Sequence, residues 1–135
     1  MSTNFAVGIL ENSKIKAIYG HWDGHIETAG KTLQQHYDVA KTKKLIALGS
    51  VSVLGDEIGV KQDFDSFDGR TNKTCLFYGR DRGEDDVAAK TFKTKEAMVE
   101  WFETPFFYLL DAKTGVWYAS RGKTWFKLKN ALGRK

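Results

Sequence analysis

Cysteine is nearly missing from this chain. Cys75 stands alone, which excludes an internal disulfide and any zinc site built from several thiolates, and suits a reducing compartment. It lies in an apolar run, where a thiol packs rather than attacks. Long apolar stretches are missing too: no window approaches the ~20 residues a membrane span requires. Met1-Ser2-Thr3-Asn4 opens without the basic stretch and apolar segment of a secretory leader. The expectation is a soluble intracellular protein with no membrane partner. Acidic residues stop at Asp111, whereas Lys113, Arg121, Lys123, Lys127, Lys129, Arg134 and Lys135 come after it. Such a basic end suits a solvated helix face and loose tail, or contact with an anion or nucleic acid.

What is present is ample for a core. With 41% of 135 residues hydrophobic, one domain covering 1–135 buries roughly 70% of the surface its unfolded chain exposes. Four Trp, nine Phe and five Tyr should dominate that core or an interface, because each buries about 150 to 250 Å²; the surplus is compatible with a homodimer. The formal charge of +4 is modest for a protein that grips nucleic acid, which therefore ranks behind a small molecule as partner.

Phe5 to Leu10 and Lys14 to Tyr19 alternate as two strands joined by Glu11-Asn12-Ser13, where Asn tolerates positive φ. Thr28 to Tyr37 and Val39 to Leu48 read as helices, the first capped by the Thr28 hydroxyl, the second by Asp38 and ended by Gly49. Val51 to Leu54 is too short for more than a turn or bridge, and Asp56 to Lys73 reads as an exposed acidic loop. Thr74 to Tyr78 forms a lone strand. Thr94 caps a helix from Lys95 to Glu103, stopped by Pro105; Phe106 to Leu110 and Val116 to Ser120 make a second hairpin; Thr124 starts a terminal helix carrying Trp125, Leu128 and Leu132. The expected fold is α+β, a mainly antiparallel sheet of about five strands (two hairpins plus the lone strand) with three to four helices packed on it.

Two polar clusters leave predicted strands: Tyr19-Gly20-His21-Trp22-Asp23-Gly24-His25 and Tyr78-Gly79-Arg80-Asp81-Arg82-Gly83-Glu84-Asp85-Asp86. They meet over a common hollow if those strands are neighbours. Gly30-Lys31-Thr32 ends like a phosphate-binding loop, but five residues lie between Gly24 and Gly30 where that motif needs four. Asp63, Asp65, Asp68 and Gly69 suggest a calcium loop, yet Phe67 and Thr74 hold two of its ligand positions. His21, Asp23 and His25, with His36 on the next helix, are metal-ligand types that lack a further ligand from the sequence. No metal and no cofactor are assigned. Two chemistries remain. In one, His21 works as acid and base, oriented by Asp23, Asp81 or Glu84, and cleaves a phosphodiester with Arg80 and Arg82 as clamps. In the other nothing is cleaved: Arg80, Arg82 and Lys31 hold phosphate, and Tyr19, Trp22 or Tyr78 offers a face on which a base stacks. Against both stands mutual pairing of Arg80, Asp81, Arg82 and Glu84 on the surface.

The runs Ile18 to Gly24, Gly30-Lys31-Thr32-Leu33 with His36-Tyr37, Leu45 to Gly49 with Leu54-Gly55, and Arg80-Asp81-Arg82-Gly83-Glu84 resemble a family of small phage and prophage proteins without assigned function. The chain departs from that pattern at Gly20, His25 and Gly79, which favours His21, Trp22, Asp23, Arg80 and Arg82 as the functional set. The resemblance implies a viral accessory protein in the host bacterial cytoplasm. With the arginine and aromatic cluster, it leads to the expectation of a counter-defence protein. Such a protein sequesters a phosphate-bearing nucleotide immune signal between the 19–25 and 78–86 loops. Cleavage of that signal, or inhibition of a host protein or nucleic acid through the basic C-terminal region, are the rival expectations.

Overall fold

A computed structural model describes residues 2–67 and 73–133. Asp68 and Gly69 of the calcium-like spacing, and Arg134 and Lys135 of the basic end, lie outside them. The strands are β1 Phe5–Glu11, β2 Lys14–Gly20, β3 Val51–Val53, β4 Leu76–Phe77, β5 Lys90–Phe92, β6 Phe106–Asp111, β7 Val116–Ser120 and β8 Trp125–Lys127. The helices are α1 Lys31–His36, entered through a π-type turn Ile26–Gly30, then α2 Val39–Ala47, α3 Tyr78–Arg82, α4 Lys95–Phe102 and α5 Leu128–Leu132. One eight-stranded sheet runs β4-β3-β2-β1-β6-β7-β8, with β5 added beside β2.

The α+β class stands, but the expected count and pairing do not. The sheet has eight strands rather than about five, and it is mixed, because β1 pairs parallel with β6 and β2 parallel with β3. Five α-helices replace the expected three to four among the described residues. Each missed strand is short and takes its conformation from a neighbour. β3 meets β2 only at Gly20 and Val51, and the free stretch of β2 then pairs Ile15, Lys16 and Ala17 with Phe92, Thr91 and Lys90 of β5. Trp125 does not open a helix: Trp125 pairs with Ser120 and Phe126 with Ala119, extending the second hairpin by a strand before α5 begins. Conversely, the lone strand stops at Phe77, and Tyr78–Arg82 coils into a helical turn.

Both hairpins form as expected. Asn12 and Ser13 turn the first at φ 55° and 64°, the conformation whose twist matches the strands it joins. Asp38 caps α2 by accepting from the Lys41 amide at 2.8 Å, and Thr94 caps α4 by accepting from Ala97 at 3.1 Å. Thr28 does not cap: its hydroxyl donates to the carbonyls of Asp23 and His25, and the chain is already coiling at Ile26.

Register decides where the core sits. Val7 faces Ile18 across the first hairpin and Gly8 faces Ala17, so Phe5, Val7 and Ile9 point to one side of the sheet while Ile15 and Ala17 point to the other. Phe5 to Ile9 are buried throughout, as in a strand covered on both faces. The first side packs on Leu33, Leu45, Ile46 and Leu128, which belong to α1, α2 and α5. The second packs Ala6, Ile15, Ala17, Phe107 and Leu109 on Met98 of α4. Trp101 of α4 is 58% exposed.

Candidate functional site

The turn after β2 is held mainly by its main chain. His21 and Trp22 donate to the carbonyls of Val51 and Ser52, both at 3.1 Å, which carries the parallel pairing with β3 past the end of the strand. Gly24 donates to Thr3 at 2.8 Å. A Cβ at Gly24 would meet the carbonyl oxygens of Asn4 and Thr3 at 2.7 and 2.8 Å, so only glycine lets the turn lie this close to the chain entering β1. From β6, the buried Tyr108 hydroxyl donates to the Gly24 carbonyl. Asp23 sits at φ 58° and its carbonyl accepts from Ala29 at 3.1 Å. The side chains are thereby freed from holding the bend, and Trp22 remains 43% exposed.

His21 and His25 part company. The His21 ring stands edge-on to the Trp22 indole with centroids 4.8 Å apart, and its Nδ1 is hydrogen-bonded to the Tyr19 hydroxyl at 2.8 Å. Burial, then the neighbouring Tyr78 phenol, push the Tyr19 hydroxyl above its ordinary value, so it stays protonated at neutral pH. His25 instead bonds the Thr3 hydroxyl at 3.1 Å and packs edge-on against Phe106. Among the described residues no group of three or more His, Cys, Asp or Glu is arranged to hold a metal ion.

The second cluster is built differently. Arg80 makes five hydrogen bonds: two to the Asp81 carboxylate and one each to the carbonyls of Ile58, Gly59 and Cys75, at 2.9 to 3.1 Å. Those bonds use every N–H a guanidinium has. The group also stacks on Phe77 at 4.7 Å, and its side chain is only 14% exposed. Asp81, fully buried at its side chain, accepts from the amides of Phe77 and Gln62 at 2.7 Å each. Burial alone would raise the Asp81 carboxyl; the hydrogen bonds from Arg80, Phe77 and Gln62 outweigh it and hold the group below the usual carboxylate range. Gly83 ends the turn at φ 74°, its amide donating to Gly79 while Glu84 donates to Tyr78, the left-handed cap for which glycine is favoured. Arg82 lies over the Phe64 ring at 5.0 Å and pairs with Glu84 at 3.3 Å, and Phe64 in turn packs on Tyr78.

The expected common hollow is thus divided. Trp22, Asp23 and Lys31 line one groove of about 410 Å³, closed opposite by Val53, Leu54 and Asp56. None of residues 78–86 lines it. Tyr19 lines a separate hollow of about 350 Å³ with Asp86, Lys90 and Trp101. The Trp22 groove opens past the carboxyl ends of β2 and β3, beside the coil that follows β2. Sequence reasoning missed Glu27, Thr28, Thr32, Gln35 and Asp56, and took His36 only as a metal ligand. The signal was available as rows of polar residues four apart, 27-31-35 and 28-32-36, one face of the coil from Ile26 to His36. His36 Nε2 lies 3.6 Å from Asp56 Oδ2, closing the far end.

Cys75 packs at full burial, bonded to the Tyr37 hydroxyl at 3.2 Å, and burial pushes its thiol up. Compared with known proteins, the chain matches no family model, no curated protein and no solved structure. No helix among the described residues is long and apolar enough to cross a membrane.

Proposed function

We propose that this chain is a binding protein for a nucleotide-type small molecule, held uncleaved in the groove beside Trp22. The observation that carries the reading is the indole. It is nearly half exposed at the rim of a polar groove, on a turn whose main chain is held by hydrogen bonds with Thr3, β3, β6 and the following coil. A flat ring so held is a platform for a base, worth about 1–3 kcal/mol when stacked. Asp23, Glu27 and Asp56 offer carboxylate acceptors to ribose hydroxyls, and Thr32 and Gln35 add neutral partners.

Charge then limits the ligand. Three carboxylates share the groove with one lysine, Lys31, and with His36. A phosphate about 6 Å from a carboxylate is repelled by roughly 0.7 kcal/mol even in bulk water. The arginines assigned to phosphate from sequence are engaged elsewhere, so the ligand carries few phosphates, with one near Lys31. Thr28, the hydroxyl nearest the turn, is engaged with two carbonyls, which supports holding rather than attack. In the phage setting implied by the motif resemblance, the protein sequesters a host nucleotide signal.

Mass spectrometry of small molecules released by denaturing protein from signalling-active cells tests this. An intact nucleoside or nucleotide is expected, and Trp22→Ala should release about tenfold less. A cleaved fragment would replace sequestration by hydrolysis. Equal recovery from Trp22→Ala would remove the ligand from this groove.

A further inference from the structure

A cavity larger than the Trp22 groove lies elsewhere, about 710 Å³ between the tip of the first hairpin and α2, within the size range of small-molecule sites. Its origin is visible in the register. Lys16 pairs with Ile9 and Lys14 with Glu11, so both lysines stand on the side of β2 that faces α2, where Ile18 is buried. Lys43, Ile46 and Ala47 form the facing row of α2 by their spacing of three and four. The floor is apolar, Ile9 and Ile46 at 5% and 3% exposure. The one acid in the lining, Glu11, is paired with Lys43 at 2.7 Å. Among the described residues Lys14 and Lys16 form no ion pair.

We infer that this groove binds a free amphiphilic anion, an organic molecule with an apolar body and a carboxylate, sulfonate or phosphate head. The body lies on Ile9 and Ile46, and the head meets Lys14 and Lys16. The charge at the rim is complementary to an anion and opposed to a cation, while the apolar floor favours a molecule with more than a bare head. The site is separate from the Trp22 groove, with which it shares no lining residue.

Anilinonaphthalene sulfonate is a direct probe, since its fluorescence rises in apolar surroundings. The folded protein should bind one equivalent, decanoate should displace it, and inorganic phosphate at the same concentration should not. Lys14→Gln/Lys16→Gln should weaken the probe about tenfold with an unchanged thermal melt, and Ala47→Trp, which fills the groove from an exposed helix position, should abolish binding. Unchanged affinity in both variants, or no binding at all, overturns the proposal. Sedimentation with phosphatidylglycerol vesicles that is lost in the double variant would transfer the lysines to a lipid surface and overturn the free-anion assignment.

Discussion

The turns at 21–25 and 78–84 look alike in sequence, each a glycine-bounded run of charged and aromatic residues after a strand, and they have opposite fates. In the second, the ionic groups hold the bend: the Arg80 guanidinium and Asp81 carboxylate turn inward and tie Ile58, Gly59, Gln62, Cys75 and Phe77 together. In the first, main-chain bonds, a glycine without room for a Cβ and the Tyr108 hydroxyl hold the bend, leaving Trp22 and Asp23 for other work. A polar cluster signals function only when something else keeps its backbone in place.

Mutations at the two turns should therefore differ most in stability. Arg80→Ala leaves Asp81 as a buried carboxylate without its charged partner, and urea denaturation should show a loss of about 3–5 kcal/mol; Trp22→Ala should stay within about 0.5 kcal/mol of the parent. A mild Arg80→Ala would collapse the contrast. Acid sharpens it further. The Asp81 carboxyl titrates lower in the folded state than in the unfolded one, so its contribution is present above about pH 4 and is lost as pH falls through the folded value. Unfolding curves between pH 7 and pH 2 should slope less steeply for Asp81→Asn than for the parent.

Smaller effects probe the first turn. Tyr108→Phe leaves the buried Gly24 carbonyl short of a partner and should cost about 1–3 kcal/mol, with ligand binding at Trp22 weakened in step; unchanged binding would mean that β6 does not position the turn. The smallest expected response is that of Cys75. With its thiol raised by burial and its side chain fully covered, it should react with a disulfide reagent only at the rate of unfolding, and a fast reaction in the native protein would contradict the packed position.

Legibility followed the range of the physics. The hairpins, the caps at Asp38 and Thr94 and the αL glycine at 49 were readable because a few adjacent residues determine each of them. β5 and β8 were not, since Lys90–Phe92 and Trp125–Lys127 are three residues each, too short to show a period of two. They extend because the open edges of β2 and β7 offer unpaired main-chain groups. For the candidate site, Trp22, Asp23 and Lys31 were named from sequence and share a groove, whereas Asp56 reaches it across twenty-five residues from Lys31, a meeting no local pattern encodes.

Sequence by itself determined the mixed α and β character, the two hairpins, the starts of α2 and α4 and the residues rich enough in chemistry to matter. Tertiary structure alone decided that β1 lies beside β6 and β2 beside β3, and which polar groups face inward. A side chain's type sets what it can bind, but only the surrounding fold sets whether it is already engaged, as the five N–H groups of Arg80 are, whereas Trp22 stays 43% exposed.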